Sequence, residues 1–582
     1  MNPTGTAASR PGRLNRVAKY VPIVNWLPRY PKKYLSRDAV AGIAVASVAI
    51  PTALGYAGIA RVPVEVGLYA LPAALLLYAI FGSSRQLSVG PSSTVAIMSG
   101  SVLLGLAIGD DVGKAIALSA GLALSAGLFL VIAGVLRLGW ATDFMSKPVV
   151  TGFSFGLGLA VIISEAPNLL GLPAESGLAP SRIMWLLEDI DLWNPATVLV
   201  GAAALAIVFV GNAFRPRWPW ALIVLILGIA TAPLLDPQSK GIAVIGAVPQ
   251  GLPEFALPTF TGADFASVIL GGAAIALVGA GEGLSGARIF AARGGYRVNA
   301  DQEFVGMGMA NIGSSLSSGM SVCGSVSRTG TAAAAGAKTQ MSSLVALVAV
   351  LIVLVAATGL LENLPRVVLS AVVILSVWFL LDIRTLLRFR SVRRNDFVAA
   401  LTALVGVLIV GPLYGLLIAV AVSLLGLAYR SSQVLLDPIG RIPQEAAGWG
   451  ALAGHPERTG MPGLLILRLG SPIYWANAAR THEMILAEVD AQPDLTGLVL
   501  DLEATGQLDV TSADMLAELL EELQQQDIAL FLARLLPWAH EVLVKSGFMA
   551  DLGEDRSWHS ITQTVTAACS QLGLPDPIAD DH

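Results

Sequence analysis

Between residues 38 and 429 charged side chains almost vanish for long stretches and then return in short clusters, and this rhythm constrains the fold more than any other feature. About 20 apolar residues are needed for a helix to cross the hydrocarbon core of a bilayer. Apolar runs bounded by charges, Pro or Gly fall at 38–57, 64–81, 92–108, 113–136, 147–167, 194–212, 218–235, 263–287, 300–319, 326–336, 341–360, 364–381, 397–410 and 412–429. They predict fourteen spans, although 326–336 is too short to cross alone, and residues 182–190 add a short amphipathic helix. Only 13% of the 582 residues are charged, about half the usual share of a soluble domain, so lipid is the expected solvent for most of the chain.

Residues 1–37 are basic and contain no apolar core followed by a small-residue cleavage site, so no signal peptide is expected. Tyr20, Trp26 and Tyr30 instead suggest a helix lying at the interface before the first span. Arg and Lys place that segment inside: Arg10, Arg13, Arg16, Lys19 and Arg37 precede span one. Arg85, Arg137, Arg217, Arg293, Lys338 and Arg384 to Arg394 follow even-numbered spans. The opposite loops hold Asp110, Asp111, Glu188, Asp191 and Asp236. Both termini are therefore expected in the cytoplasm of a cell's inner membrane.

Two spans are not regular. Ser88-Val89-Gly90-Pro91-Ser92-Ser93-Thr94 and Ser321-Val322-Cys323-Gly324-Ser325-Val326-Ser327-Arg328-Thr329 each read as a few extended residues, a Gly, then hydroxyl residues suited to cap a helix. They lie in spans three and ten. Seven is odd, so the second copy is inverted, and paired interruptions of this kind point to a transporter site. Ordinary loops between shorter helices are the alternative; lipid-exposed irregular backbone is forbidden, which weighs against them.

Two helix N-termini meeting at one point favour an anion, and Arg328 in the first turn of the second half-helix adds a full charge. A shallow cytoplasm-facing loop is the other place Arg328 could stand. Glu282, within Gly279-Ala280-Gly281-Glu282-Gly283 of span eight, is a lone carboxyl among small residues and a candidate proton-coupling group; a structural carboxylate is the alternative. Cys323 and Cys569 are far apart and the five His show no ligand spacing, so neither a metal site nor a cofactor is expected. No basic cluster suits nucleic acid, and no nucleophile–base pair or phosphate loop suggests an enzyme.

Ile50-Pro51-x-Ala53-x-Gly55-Tyr56-Ala57, Phe81 through Pro91, Asn299-Ala300-Asp301-Gln302-Glu303, Ser325 through Thr329 and Lys338-Thr339-Gln340 together resemble the SulP anion transporters, which carry a C-terminal STAS domain. The resemblance implies a polytopic α-helical membrane protein of fourteen spans in a seven-plus-seven inverted repeat. Its core (spans 1–4 and 8–11) would move against a gate (spans 5–7 and 12–14) in an elevator-like manner. The resemblance also implies an anion held by Ser92, Ser93, Ser325, Ser327 and Arg328, with Tyr56 lining the site, and a homodimer. Thr52 stands where the family usually has Gln or Glu. Glu282 resembles the Glu of proton-coupled members. Gly286 occupies the place where sodium-coupled relatives are expected to carry a hydroxyl, which favours proton over sodium.

The expected domains are a cytoplasmic segment 1–37, a transport domain 38–432 and a cytoplasmic STAS domain 440–575. In the tail, 463–469, 497–502 and 528–533 read as strands, and 511–526 and 537–546 as helices, an alternation that makes a small α/β layer. Asp509, Thr511 or Ser512 would cap the first of these helices. Val510 occupies the position of the phosphorylated serine in STAS antagonists, so that switch is not expected. The expected function is secondary transport of a small anion, sulfate-like first, coupled to protons. A sodium-coupled bicarbonate or dicarboxylate transporter, a nucleobase permease and a membrane-anchored STAS regulator are the alternatives.

Overall fold

The structure, a computed structural model, describes residues 21–106, 111–140, 146–173, 177–215, 218–237, 239–246, 248–260, 262–356, 358–378, 380–443, 445 and 448–575. Expectations resting on Arg10, Arg13, Arg16, Lys19, Tyr20, Asp110 and Arg217 fall outside these residues. The chain divides into two compact units, 1–423 and 424–582.

Among the described residues the fourteen apolar runs become fourteen membrane segments. They are α1 (Leu35–Ile59), α2 (Val64–Phe81), β1 (Ser88–Gly90) with α3 (Ser93–Gly105), α4 (Val112–Val135) and α5 (Lys147–Leu170). After the amphipathic α6 (Ala179–Glu188) follow α7 (Pro195–Phe214), α8 (Trp220–Leu235), α9 (Gly262–Arg293), α10 (Ala300–Leu316) and β2 (Cys323–Ser325) with α11 (Val326–Ala334). Then come α12 (Met341–Ala356), α13 (Arg366–Trp378), the short α14 (Ile383–Val392), α15 (Arg394–Val410) and α16 (Pro412–Ser431). This is the expected fold class, a seven-plus-seven inverted arrangement. The two broken segments pair as antiparallel strands, Ser88 opposite Ser325 and Gly90 opposite Cys323.

Two local expectations need correction. Among the described residues the expected interfacial helix is one α-helical turn, Ile23–Trp26, and one 3-10 turn, Lys32–Tyr34, with Tyr20 outside them. The Arg-rich segment after α13 is the helix α14 rather than a loop; Leu386 is buried on one face while Arg384, Arg388 and Arg390 stay exposed.

Small residues let the helices approach closely, as in other membrane bundles. A Cβ on Gly67 would lie 2.0 Å from the Ala53 carbonyl oxygen, which brings α1 and α2 together. One on Gly152 would lie 1.9 Å from the Ala400 carbonyl oxygen, which does the same for α5 and α15. One set of helices forms where α10 packs on α4 and α2, α9 on α4, and α12 on α1. A second set forms where α5 packs on α15 and α13, and α13 on α7; α13 also packs against α1 of the first set.

The second unit holds a sheet in the order β4 (Trp449–Ala451), β3 (Leu436–Arg441), β5 (Leu464–Leu469), β6 (Gly497–Asp501), β7 (Ala529–Ala533) and β8 (Ser557–Trp558). Strands β5 to β8 run parallel and β3 is antiparallel to both its neighbours. Leu467, Leu498 and Leu530 point to one core with α17 (Ala478–Asp490), α18 (Val510–Gln525) and α19 (Pro537–Lys545). Ile466, Val499 and Phe531 point to the other, with α21 (Ile561–Leu572), which follows the short α20 (Phe548–Leu552). Asp509 is the cap of α18, accepting from the Ser512 amide at 2.9 Å.

Candidate binding site between the two broken spans

The irregular backbone is held by side chains, as it must be where no water can satisfy it. The Asn311 amide group of α10 donates to the Val322 carbonyl (2.7 Å) and accepts from the Val322 N–H (2.9 Å), fixing the entry to β2. The Ser314 hydroxyl donates to the Met320 carbonyl at 2.6 Å. Thr329 ties the two breaks together: its hydroxyl accepts from the Ser88 N–H (3.0 Å) and donates to the Ser325 carbonyl (2.6 Å).

Both half-helices then start at the same place. Ser325 caps α11, its hydroxyl accepting from the Arg328 amide at 3.3 Å. Ser92 holds the equivalent place on α3 with extended backbone, but contrary to expectation its side chain caps nothing. Its Oγ is turned to the Cys323 Sγ, 2.9 Å away. The first-turn amides of Ser93, Thr94 and Val95 consequently receive no protein acceptor among the described residues. Arg328 is buried, 2% exposed, and one of its terminal nitrogens donates to the Pro91 carbonyl. Its Nε and other terminal nitrogen have no partner among the described residues. An unpaired buried guanidinium N–H is costly, so the arrangement is chemically incomplete without an acceptor.

The other expected residues differ in burial and in their partners. Ser93 is buried, and Tyr56 of α1 is buried with Ser93, Ser376, Arg328 and Glu282 as its polar neighbours. Ser327 is exposed, and its carbonyl accepts from Thr331 at 3.2 Å. Glu282 is half-buried; its neighbours are Thr94, Arg328 and the Cys323 thiol, 3.5 Å from its Oε2. Thr52 returns its hydroxyl to its own helix, at the Val48 carbonyl (2.8 Å). A Cβ on Gly286 would face Leu87 and Val326 at 3.3 Å, an apolar setting.

Several motif residues are braces. Glu303 is fully buried and accepts from the Tyr78 hydroxyl (2.6 Å), the Ser83 hydroxyl (2.7 Å) and the Ser83 and Ser84 amides (both 2.8 Å). The Gln340 side chain donates to the Ser84 and Leu87 carbonyls, and Asp38 accepts from the Lys338 amide and the Thr339 hydroxyl. They fix the segment entering β1 and the start of α12.

Sequence reasoning missed Asn311, Cys323 and Glu165. Glu165 of α5 is 7% exposed, accepts from the Ser370 hydroxyl at 2.5 Å, and lines a cavity of about 600 Å³ that reaches α3 at Ile97, one turn beyond Ser93. A lone carboxyl in the run 147–167 was the available signal. For Cys323 and Asn311 none existed, because their partners lie on other segments.

The profile of the sulfate permease family matches residues 35–403, and that of the STAS domain matches 455–567. A probable sulfate transporter of Mycobacterium tuberculosis is 34% identical over 551 residues, covering 94% of this chain and 98% of the relative. Probable sulfate transporter 3.4 of Arabidopsis thaliana is 31% identical, covering 94% and 86%. The inward-facing murine anion transporter Slc26a9 superposes with a TM-score of 0.89 at 20% identity, covering 98% and 97%. The transmembrane domain of the cyanobacterial bicarbonate transporter BicA gives 0.58 at 21%, covering 68% and 98%. With the fold, the broken spans and both profiles in agreement, this chain belongs to the sulfate permease family, a family of integral membrane transporters rather than enzymes.

Proposed function

We propose that the chain is a secondary active anion transporter with sulfate as its first-choice substrate, coupled to protons. The anion sits between the N-termini of α3 and α11. Ser93, Thr94 and Val95 offer amides, Ser92, Ser93, Ser325 and Ser327 offer hydroxyls, Arg328 offers charge, and Tyr56 closes the site from α1. One observation carries the reading: the buried Arg328 guanidinium has two nitrogens without an acceptor beside a helix N-terminus whose amides are also open. Charge-assisted bonds and free helix amides select an oxyanion over a neutral nucleobase.

Glu282 is the proton-coupling group; its partial exposure gives protons access, and the thiol beside it, a group that can accept a hydrogen as well as donate one, accommodates the neutral form. Sodium coupling is disfavoured because Gly286 supplies no side-chain hydroxyl. Movement of the core (spans 1–4 and 8–11, which include α3 and α11) against the gate (spans 5–7 and 12–14, which include α5 and α13) gives alternating access. Both termini and the STAS unit lie in the cytoplasm of the inner membrane, as the Arg and Lys distribution favours, and the working form is a homodimer.

The test is uptake into proteoliposomes with a panel of sulfate, bicarbonate, a dicarboxylate, chloride and uracil, at acid and alkaline pH, with and without sodium. Sulfate uptake driven by an inward proton gradient is expected. Uptake that follows sodium, or that uracil but not sulfate supports, overturns the reading. A Ser327→Trp variant that folds normally is expected to lose uptake.

A further inference from the structure

Glu282 and Arg328 do not meet within ion-pair distance; Cys323 stands between the carboxyl of α9 and the start of α3. Its Sγ lies 3.5 Å from Glu282 Oε2 on one side and 2.9 Å from Ser92 Oγ on the other. The thiol is 1% exposed and Ser92 4% exposed, so water does not compete for the bond between them. The other charged or titratable groups facing this row are Arg328 from α11 and Tyr56 from α1.

A thiol has one hydrogen to donate and a sulfur that accepts weakly; a serine hydroxyl also has one hydrogen. An ionised Glu282 can only accept. The thiol then donates to it, and the sulfur accepts the Ser92 hydrogen, which is turned away from the anion. A protonated Glu282 donates to the sulfur instead. The thiol then donates to Ser92 Oγ, and the Ser92 hydrogen is released toward the open amides and the unpaired Arg328 nitrogens.

We propose that Cys323 is a positioning residue, a hydrogen-bond relay whose direction reverses with the protonation of Glu282 and so makes Ser92 a donor to the anion only when a proton is aboard. The thiol and the hydroxyl each keep one hydrogen in both states, and only the carboxyl gains or loses the coupling proton. The inference rests on the transport reading above and supplies its coupling step.

The experiment compares the full-length wild type with Cys323→Ala, Cys323→Thr and Glu282→Gln in proteoliposomes, reading the KM for sulfate at acid and alkaline pH. Without the thiol Ser92 is no longer held inward, so Cys323→Ala is expected to lower the alkaline KM about tenfold, toward the acid value, the worth of one hydrogen bond to a charged partner. A packing defect alone would raise KM or lower kcat at both pH values. Cys323→Thr retains a single-hydrogen hydroxyl and is expected to keep the wild-type pH dependence. If Cys323→Ala keeps the wild-type ratio of KM values while Glu282→Gln abolishes it, the relay is overturned and proton coupling stands. If Glu282→Gln itself keeps the ratio, the coupling reading falls and the relay falls with it.

Discussion

Gly324 of β2 stands so close to Gly283 of α9 that a Cβ on Gly324 would lie 2.8 Å from the Gly283 Cα. This backbone contact between strand and helix brings Glu282, the next residue along α9, against Cys323. Gly324→Ala must push β2 away from α9, at a cost of roughly 1–3 kcal/mol for an overpacked core. The expected outcome is a lower melting temperature in detergent and a loss of sulfate uptake. Gly283→Ala meets the Met307 sulfur at 2.2 Å, the far part of an adaptable side chain, so its effect should be milder. Equal damage from the two substitutions would refute this account.

Glu303 and Glu282 are both carboxyls in apolar spans, yet their surroundings assign opposite roles. Glu303 accepts four hydrogen bonds and is 0% exposed. Glu303→Gln keeps an oxygen for the Ser83 and Ser84 donors but turns its N–H₂ toward the Tyr78 hydroxyl, which loses its acceptor, and an unmatched buried donor costs about 1–3 kcal/mol. Melting temperature should therefore fall, while the pH profile of whatever uptake remains is unchanged. Glu282→Gln should do the reverse, keeping the melting temperature and flattening the profile.

The breaks at Ser92 and Ser327 and the fourteen crossings were legible because composition alone encodes them: lipid demands apolar runs, and an interruption at depth demands a reason. The pairing of Ser88 with Ser325 was not legible, since three-residue strands carry no periodicity and their partners are more than two hundred residues apart. Capping at Ser325 followed the sequence rule and capping at Ser92 did not. The difference lies in Cys323, a partner from another segment that draws the Ser92 hydroxyl away. Glu303, Asn311 and Gln340 stood in recognisable motifs or apolar helices, but only tertiary structure separates a brace from a ligand.

Arg328 distinguishes positive charge from geometry. Arg328→Lys keeps the charge and loses the planar fork whose Nε and second terminal nitrogen are unpaired. The expected result is a KM for sulfate raised about tenfold, the scale of one charge-assisted bond, with kcat less affected. Arg328→Gln removes the charge as well and should raise KM further. A Lys variant indistinguishable from wild type would mean that the guanidinium does not touch the anion.

In the STAS unit, Asp509 joins two loops to α18: it accepts from the Ser512 amide (2.9 Å), the Ser512 hydroxyl (2.6 Å) and the Trp475 amide (2.7 Å). Burial pushes its carboxyl up, but the Ser512 and Trp475 donors outweigh burial and hold it below the usual aspartate value. A depressed folded pKa contributes stability above the unfolded value of about 3.9, and that stability is lost as pH falls through the folded pKa. Asp509→Ala should therefore cost roughly 1–2 kcal/mol at neutral pH, the worth of a helix cap, and the difference from wild type should shrink once both carboxyl states protonate in acid. Hydrogen exchange of the Ser512 amide in the full-length protein is the measurement. Faster exchange in Asp509→Ala with near-normal exchange in Asp509→Asn, which keeps a capping oxygen, is the expected pair of results, and fast exchange in both would show that charge rather than the cap holds the helix start.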